Sequence, residues 1–171
     1  MKNYLKAGYP LLWVQTHEED RAIDYYSAQV QDYHLYSWDI MSAMKELGTS
    51  KVVDAPEPVA ALNMISTLPE GTILFLKDFH KFIDTLEIFR TIKNLIPSLK
   101  SMDKHIVFIS PVLKIPVELE KDITVLEFGL PTVEELTGTA KKIVVENELD
   151  IEVDPVAVSS GKGLKIGRAH V

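Results

Sequence analysis

The sequence contains no cysteine, which excludes disulfide bonds and cysteine-ligated metal sites and fits a reducing compartment. It also has no long apolar run. Stretches such as Ile73–Leu76 and Ile106–Ile109 are far shorter than the ~20 residues needed to span a bilayer. No apolar signal core follows the charged residues at the N-terminus. These absences predict a cytoplasmic protein without a membrane segment.

Dense runs of lysine and arginine are missing as well, and the formal net charge is −7. This charge argues against nucleic acid as a partner, because sequence-independent binding relies on cationic side chains that neutralise phosphates. The five histidines are scattered without the spacing of a zinc site. No Ser/His/Asp arrangement is recognisable either. The sequence therefore assigns no metal ligand and no catalytic residue.

What the chain does contain is ordinary globular composition, 46% hydrophobic and 25% charged. Short apolar runs alternate with helical patterns, and near-continuous apolar strands of this kind are typical of a parallel sheet covered on both faces. Helices are predicted over 17–30, 56–68, 83–100 and 132–148, with a short one over 40–47. The five predicted strands are Leu11–Thr16, Tyr33–Asp39, Thr72–Asp78, His105–Ser110 and Ile123–Phe128.

Ligands of open α/β sheets bind beyond the carboxyl ends of the strands. The first strand is followed by Gln15-Thr16-His17-Glu18-Glu19-Asp20-Arg21. Thr16 and Glu19 have the spacing of a capping box, and the carboxylates suit the start of a helix. A phosphate-binding loop needs glycines and a lysine instead, so nucleotide binding by the usual loop is excluded here. Gly161-Lys162 is not such a loop, because Val156 and Gly163 break the motif.

Two other strand ends carry candidate cofactor-binding residues. Asp78 ends an apolar run, as the magnesium-holding carboxylate of a Walker B strand does, although Phe79 stands where a catalytic glutamate is usual. Alternatively, Asp78 caps the next turn or pairs with Lys77 or His80. Ser110 occupies the place of a nucleotide-sensing group at the end of the fourth strand, or is simply a turn residue.

Three segments together resemble a known family. They are Tyr9–Ala22 (YPLLWVQTHEEDRA), Leu76–His80 (LKDFH) and Ile109–Ile123 (ISPVLKIPVELEKDI). They are similar to the amino-terminal region of the AAA ATPases encoded in some algal plastid genomes and of their cyanobacterial relatives. The segment Leu130–Leu136 is similar to one that many AAA proteins carry after their fifth strand. The resemblance covers residues 4–164.

The resemblance implies a fold and a division of the chain. The fold is a three-layer α/β sandwich, with a five-stranded parallel sheet in the P-loop NTPase order 5-1-4-3-2 but without a Walker A loop. Residues 1–149 are expected to form this degenerate P-loop-like domain. Residues 150–164 are expected to begin a helical subdomain or linker.

The function implied is that of a non-catalytic regulatory or docking domain placed ahead of an AAA module. This chain alone is then inactive and needs no cofactor, while ATP and magnesium serve the downstream module. Its partners are that module and further copies in a homo-oligomer, and its location is the stroma if the gene is from an algal plastid. Two alternatives remain open: a stand-alone nucleotide-binding switch that uses Asp78 and Ser110 with an atypical phosphate site, and an acidic α/β domain with unrelated partners.

The residues at the end of the chain have a different interpretation. Residues 166–171 (IGRAHV) can be encoded by the opening bases of a common sequencing adapter, and the codon of Lys165 is compatible with the bases before them. Residues 165–171 are therefore predicted to be a non-native tail, and the natural gene is expected to continue beyond about Leu164.

Sequencing the source DNA tests this expectation. The open reading frame should run past Leu164 and reach a G-x-x-x-x-G-K-[ST] motif, because the resemblance places the ATP-hydrolysing motifs downstream. A stop codon directly after Val171 in clean genomic sequence would contradict both the truncation and the tail.

Overall fold

The computed structural model describes residues 1–49, 51–53, 55–129, 132–146 and 153–160. The chain divides into two compact units, Met1–Phe128 and Gly129–Val171. Within the described residues, no helix is long and apolar enough to cross a membrane. The first unit contains, in chain order, α1 (Lys2–Lys6), β1 (Leu11–Gln15), α2 (Glu19–Ser27), β2 (His34–Asp39), β3 (Ala43–Glu46), β4 (Val52–Val53), α3 (Pro58–Met64), β5 (Thr72–Lys77), α4 (Leu86–Ser101), β6 (His105–Ser110) and β7 (Ile123–Leu126).

The strands form one mixed sheet of seven, in the order β4-β3-β2-β5-β6-β1-β7. The pairs β2–β5, β5–β6, β6–β1 and β1–β7 are parallel, so the five strands predicted from sequence occur in the predicted order. The predicted sheet of five parallel strands is nevertheless wrong. Two further strands extend it, because β3 pairs antiparallel with β2 and β4 pairs antiparallel with β3.

The error lies in the segment after β2, where a short helix was predicted over 40–47. Asp39 Oδ1 accepts hydrogen bonds from the backbone N–H groups of Met41 (2.9 Å) and Ser42 (2.7 Å). Ala43 follows with a φ of 54°, in the left-handed region. This Asx turn reverses the chain into β3, where Met44 is buried and pairs with Trp38. Local turn chemistry therefore overrides the helical propensity of the segment.

Helices cover both faces of the sheet, as a three-layer arrangement requires. Side chains of β1 alternate between two cores: Leu11 and Trp13 join one cluster, while Leu12 and Val14 join the other. The first cluster contains residues of α3 and α4, and the second contains residues of α1 and α2. Trp13 and Trp38 are among the largest fully buried side chains. The central strands β5 and β6 are buried almost throughout, which explains their continuous apolar sequences.

The second unit contains α5 (Val133–Glu146) and α6 (Pro155–Ser160), which contact each other. Helix α5 corresponds to the helix predicted over 132–148, but it belongs to the second unit rather than to the first. Helix α6 falls in the segment predicted as the start of a helical subdomain or linker. The domain limits proposed from sequence stay predictions, and residues 165–171 lie outside the described residues.

A buried lysine connects β6 to the segment before β5. Lys104 is 1% exposed, and its Nζ donates hydrogen bonds to the carbonyl oxygens of Ile65 (2.9 Å) and Ser66 (3.1 Å). Burial lowers the pKa of Lys104, although the charge of Glu70 opposes this shift. The ammonium tolerates burial because the two carbonyl groups replace part of its hydration.

Replacing Lys104 by methionine should therefore destabilise the protein by about 1–3 kcal/mol, because the two carbonyl groups lose their donor while most of the packing is kept. Urea unfolding measures the change. The matched control is Lys100→Met on the exposed end of α4, which should change stability by less than about 0.5 kcal/mol. Equal effects of the two substitutions would show that the buried hydrogen bonds contribute nothing.

Candidate functional site

The carboxyl ends of the parallel strands meet at one edge of the sheet, here called the carboxyl edge. The register places Gln15 of β1 beside Ser110 of β6, and Lys77 of β5 beside Ile109. The segments that follow these strands therefore lie next to each other. Both candidate residues predicted from sequence, Asp78 and Ser110, are at this edge.

The segment after β1 does not form the predicted capping box. The backbone N–H of Thr16 donates to the carbonyl oxygen of Ser110 (2.9 Å), which extends the strand ladder by one residue. The Thr16 hydroxyl accepts from the backbone N–H of Glu18 (3.0 Å), and α2 begins only at Glu19. The prediction is wrong because the Thr16 N–H is already bonded to the sheet and is not available to the Glu19 carboxylate.

Four carboxylates and one ammonium lie at the carboxyl edge. This acidic cluster consists of Glu19 and Asp20 at the start of α2, Asp39 at the end of β2 and Asp78 after β5. The ammonium is that of Lys77, whose Nζ donates to Asp20 Oδ1 at 2.5 Å. Lys77 interacts with three of these carboxylates, those of Asp20, Glu19 and Asp39, while Asp78 acts on Glu19, so the four carboxylates outnumber the one ammonium of the cluster.

The pKa values of Glu19 and Lys77 are both raised. Burial raises the pKa of Glu19, the charge of Asp78 raises it further, Lys77 opposes the shift, and Asp20 and Asp39 add to it. Burial alone would lower the pKa of Lys77, but its hydrogen bond to Asp20 and the neighbouring carboxylates raise it above its ordinary value. The edge therefore favours protonation of both groups, which is the response of a site with too much negative charge.

Asp78 is held by its backbone and leaves its carboxylate largely free for solvent. Its φ of 52° is left-handed, and its N–H donates to the carbonyl oxygen of Ile109 (2.9 Å). The carboxylate is 57% exposed and lies 3.6 Å from Nδ1 of the buried His80. That Nδ1 atom has no hydrogen-bond partner. Of the alternatives considered from sequence, proximity to His80 is the one observed, while Lys77 pairs with Asp20.

The residue after Asp78 is part of the core rather than of a site. Phe79 is fully buried, and its ring contacts those of Trp38, Phe82 and Phe108 at centroid distances of 5.6–5.8 Å. A glutamate in its place would put an unpaired charge in the aromatic cluster. The position that activates water in a Walker B strand is thus used for packing.

Ser110 has the geometry of a turn residue. It is fully buried, and its hydroxyl donates to the carbonyl oxygen of Val112 (2.8 Å) across Pro111. A nucleotide-sensing role for Ser110 stays a prediction, as does a ligand-binding role for Asp78.

Sequence reasoning missed two members of the site. Asp39 lies at the carboxyl end of β2, just as Asp78 directly follows β5. Because ligands of open α/β sheets bind beyond the carboxyl ends of strands, inspection of the second strand would have identified Asp39. Lys77 was considered only as a possible partner of Asp78, and its pairing with Asp20 becomes visible only from the distance between Lys77 Nζ and Asp20 Oδ1.

The arrangement suits a cationic partner and not a phosphate. A phosphate site needs converging backbone amides and positive charge, and the described carboxyl edge offers carboxylates in their place. Among the described residues, no group of three or more His, Cys, Asp or Glu side chains is placed to hold a metal ion. An excess of carboxylates at an exposed sheet edge attracts positive charge.

Several solved structures have a similar fold. The chain matches a RuvB variant from Thermotoga maritima (TM-score 0.51, 15% identity), covering 92% of this chain and 50% of that one. It matches a DNA replication initiation factor (TM-score 0.54, 13% identity), covering 93% and 52%. It also matches AMPPCP-bound DnaA from Aquifex aeolicus (TM-score 0.52, 12% identity), covering 94% and 53%. At these identities the likeness shows the fold alone, that of AAA-type and related ATPases.

Sequence comparison then gives the family. Residues 1–128 match the family described as SpoVK-like AAA ATPase, N-terminal domain, and the chain belongs to this family. Curated relatives are named uncharacterized AAA domain-containing protein ycf46. The one from Trieres chinensis is 33% identical over 156 residues, 88% of this chain and 31% of the relative. The one from Guillardia theta is 34% identical over 135 residues, which are 76% of this chain and 27% of the relative. The chain thus spans about a third of the length of these relatives.

The surplus charge of the acidic cluster leads to a stability prediction. The pKa of Glu19 is raised in the folded state above its ordinary 4.5, so the neutral carboxyl is favoured by folding and its contribution is lost as pH rises through the folded pKa. Glu19→Gln should therefore raise the melting temperature at neutral pH, and the difference should vanish below pH 4.5.

The control is Glu18→Gln, which removes a carboxylate paired with Arg21 at 2.9 Å. It should leave stability unchanged or lower it by up to about 1 kcal/mol at neutral pH. Calorimetric melting across the pH range measures both variants. A lower melting temperature for Glu19→Gln at neutral pH would show that the carboxylate is stabilised by its surroundings.

Proposed function

We propose that this chain is the non-catalytic amino-terminal docking domain of a longer AAA ATPase. Family membership over residues 1–128 and a length of about a third of the curated relatives support this assignment. The downstream module would supply ATP hydrolysis with magnesium. This domain would then contribute recognition, either of that module or of a further protein.

The observation that carries the proposal is the chemistry of the carboxyl edge. In P-loop proteins this edge presents backbone amides and a lysine to a nucleotide. Here the segment after β1 leads into Glu19 and Asp20, and Asp39 and Asp78 complete the acidic cluster. These groups would repel a triphosphate, while the sheet beneath them is fully packed. A domain that keeps the scaffold but reverses the charge of the edge is suited to binding protein rather than nucleotide.

The remaining features of the proposal concern assembly and location. The full-length protein would form a homo-oligomer through its AAA module, and this domain would be carried on each copy. It would be cytoplasmic, or stromal if the gene is from an algal plastid, as in the plastid-encoded relatives.

A nucleotide-binding switch is the second candidate, and one observation keeps it testable. Asp78 presents a largely exposed carboxylate in a Walker B position, where magnesium could be held if an atypical phosphate site existed. The two candidates differ in one measurable property, the affinity of this chain for Mg-ATP.

Isothermal titration calorimetry with Mg-ATP separates the candidates. The chain should show no binding at micromolar concentration and release no phosphate, because carboxylates occupy the place of the phosphate loop. Asp78→Ala should give the same flat titration. Binding in the micromolar range would contradict the proposal. If Asp78→Ala weakened that binding by about tenfold or more, the site would be the nucleotide switch.

A further inference from the structure

The carboxyl edge combines its charge with exposed apolar side chains. The turn after β2 exposes Ile40 and Met41, and Met41 is 89% exposed. The turn after β6 exposes Val112 and Leu113. These four side chains are here called the apolar rim. They follow β2 and β6, and the strand between those two in the sheet is β5, which leads into Asp78. Large apolar side chains grouped beside a charged cluster are typical of a protein-binding surface.

The turns that carry the apolar rim are held in place. Asp39 fixes the turn at Met41 through two backbone hydrogen bonds, and the Ser110 hydroxyl fixes the turn at Val112. Lys114 pairs with Asp84, which joins the segment after β6 to the segment after β5. The exposed side chains are therefore presented on a rigid edge, which lowers the entropy lost when a partner binds.

A buried polar group at the cluster lacks a partner. His80 is 6% exposed, and its Nδ1 faces Asp78 Oδ1 at 3.6 Å, beyond hydrogen-bond distance. A small shift of the Asp78 carboxylate would complete this hydrogen bond. His80 Nδ1 is therefore a buried polar atom that faces the acidic cluster and is not satisfied by the groups around it.

From these observations, we propose that the acidic cluster and the apolar rim form one docking surface for a polypeptide segment that carries arginine or lysine next to leucine-like side chains. The proposal rests on the docking function above and specifies its partner by chemistry. The cationic groups bind between Asp39, Asp78 and Glu19, and the apolar groups contact Met41 and Leu113. Charge complementarity selects the partner, because the four carboxylates of the cluster outnumber its one ammonium.

The test uses the 171-residue chain and a peptide of sequence Arg-Leu-Leu-Arg-Arg-Leu-Leu-Arg, followed by amide chemical shifts in NMR. Shifts should concentrate in the segments after β1, β2, β5 and β6. The counterpart peptide with glutamate in place of arginine should not bind. Shifts spread over the whole surface, or confined to another face, would overturn the proposal.

Matched variants separate a specific surface from general attraction between opposite charges. The double substitution Glu19→Gln with Asp78→Asn should lower the affinity for the basic peptide by at least about tenfold. Asp32→Asn with Glu70→Gln removes the same charge before β2 and β5, at the opposite edge, and should change affinity by less than about twofold. Equal weakening by the two pairs would overturn the proposal.

A third pair of substitutions tests the apolar rim. Met41→Ser with Leu113→Ser changes two exposed side chains and should lower the affinity for the basic peptide by about fivefold or more. Unchanged affinity would overturn the combined surface. If neither the peptide nor Mg-ATP binds, the docking surface proposed here is wrong but the docking function is not contradicted. If Mg-ATP binds, the docking function itself is wrong.

Discussion

The parallel pairing of β5, β6 and β1 is the constraint on which the rest of the structure depends. Because parallel neighbours cannot be joined by a tight hairpin, each of these strands is followed by a crossover that returns the chain to the opposite edge: α2 follows β1, α4 follows β5, and residues 111–122 follow β6. The carboxyl ends of the parallel strands then face the same way. Residues far apart in sequence, such as Glu19, Asp39 and Asp78, become neighbours for this reason alone.

The same constraint explains what sequence reasoning could predict. Apolar runs identify β1, β5 and β6 because burial on both faces requires them, and the ends of these strands then identify Asp78 and Ser110 as candidates, while Glu19 was assigned only to the start of a helix. The strand β3 was missed because its sequence, Ala-Met-Lys-Glu, favours a helix. What determines its structure is the turn at Asp39 and pairing with β2, and neither is a property of the segment itself.

The charge relations within the site were beyond prediction for a different reason. That Lys77 pairs with Asp20, and that Thr16 donates to Ser110, depends on the register between strands to within one residue. A pattern of residue types does not contain that register. The backbone hydrogen bonds between the strands also do not depend on the sign of the side-chain charges at the carboxyl edge. One scaffold can therefore present amides to an anion or carboxylates to a cation without change to its core.

The placement of the two tryptophans has a spectroscopic consequence. The sequence contains only two, Trp13 and Trp38, and both are buried in the unit Met1–Phe128. Intrinsic tryptophan emission therefore reports the environment of two side chains that both belong to the first unit. Far-ultraviolet circular dichroism, in contrast, detects the helices of both units. The two optical signals thus combine a reporter placed in the first unit with a measure of helix in both.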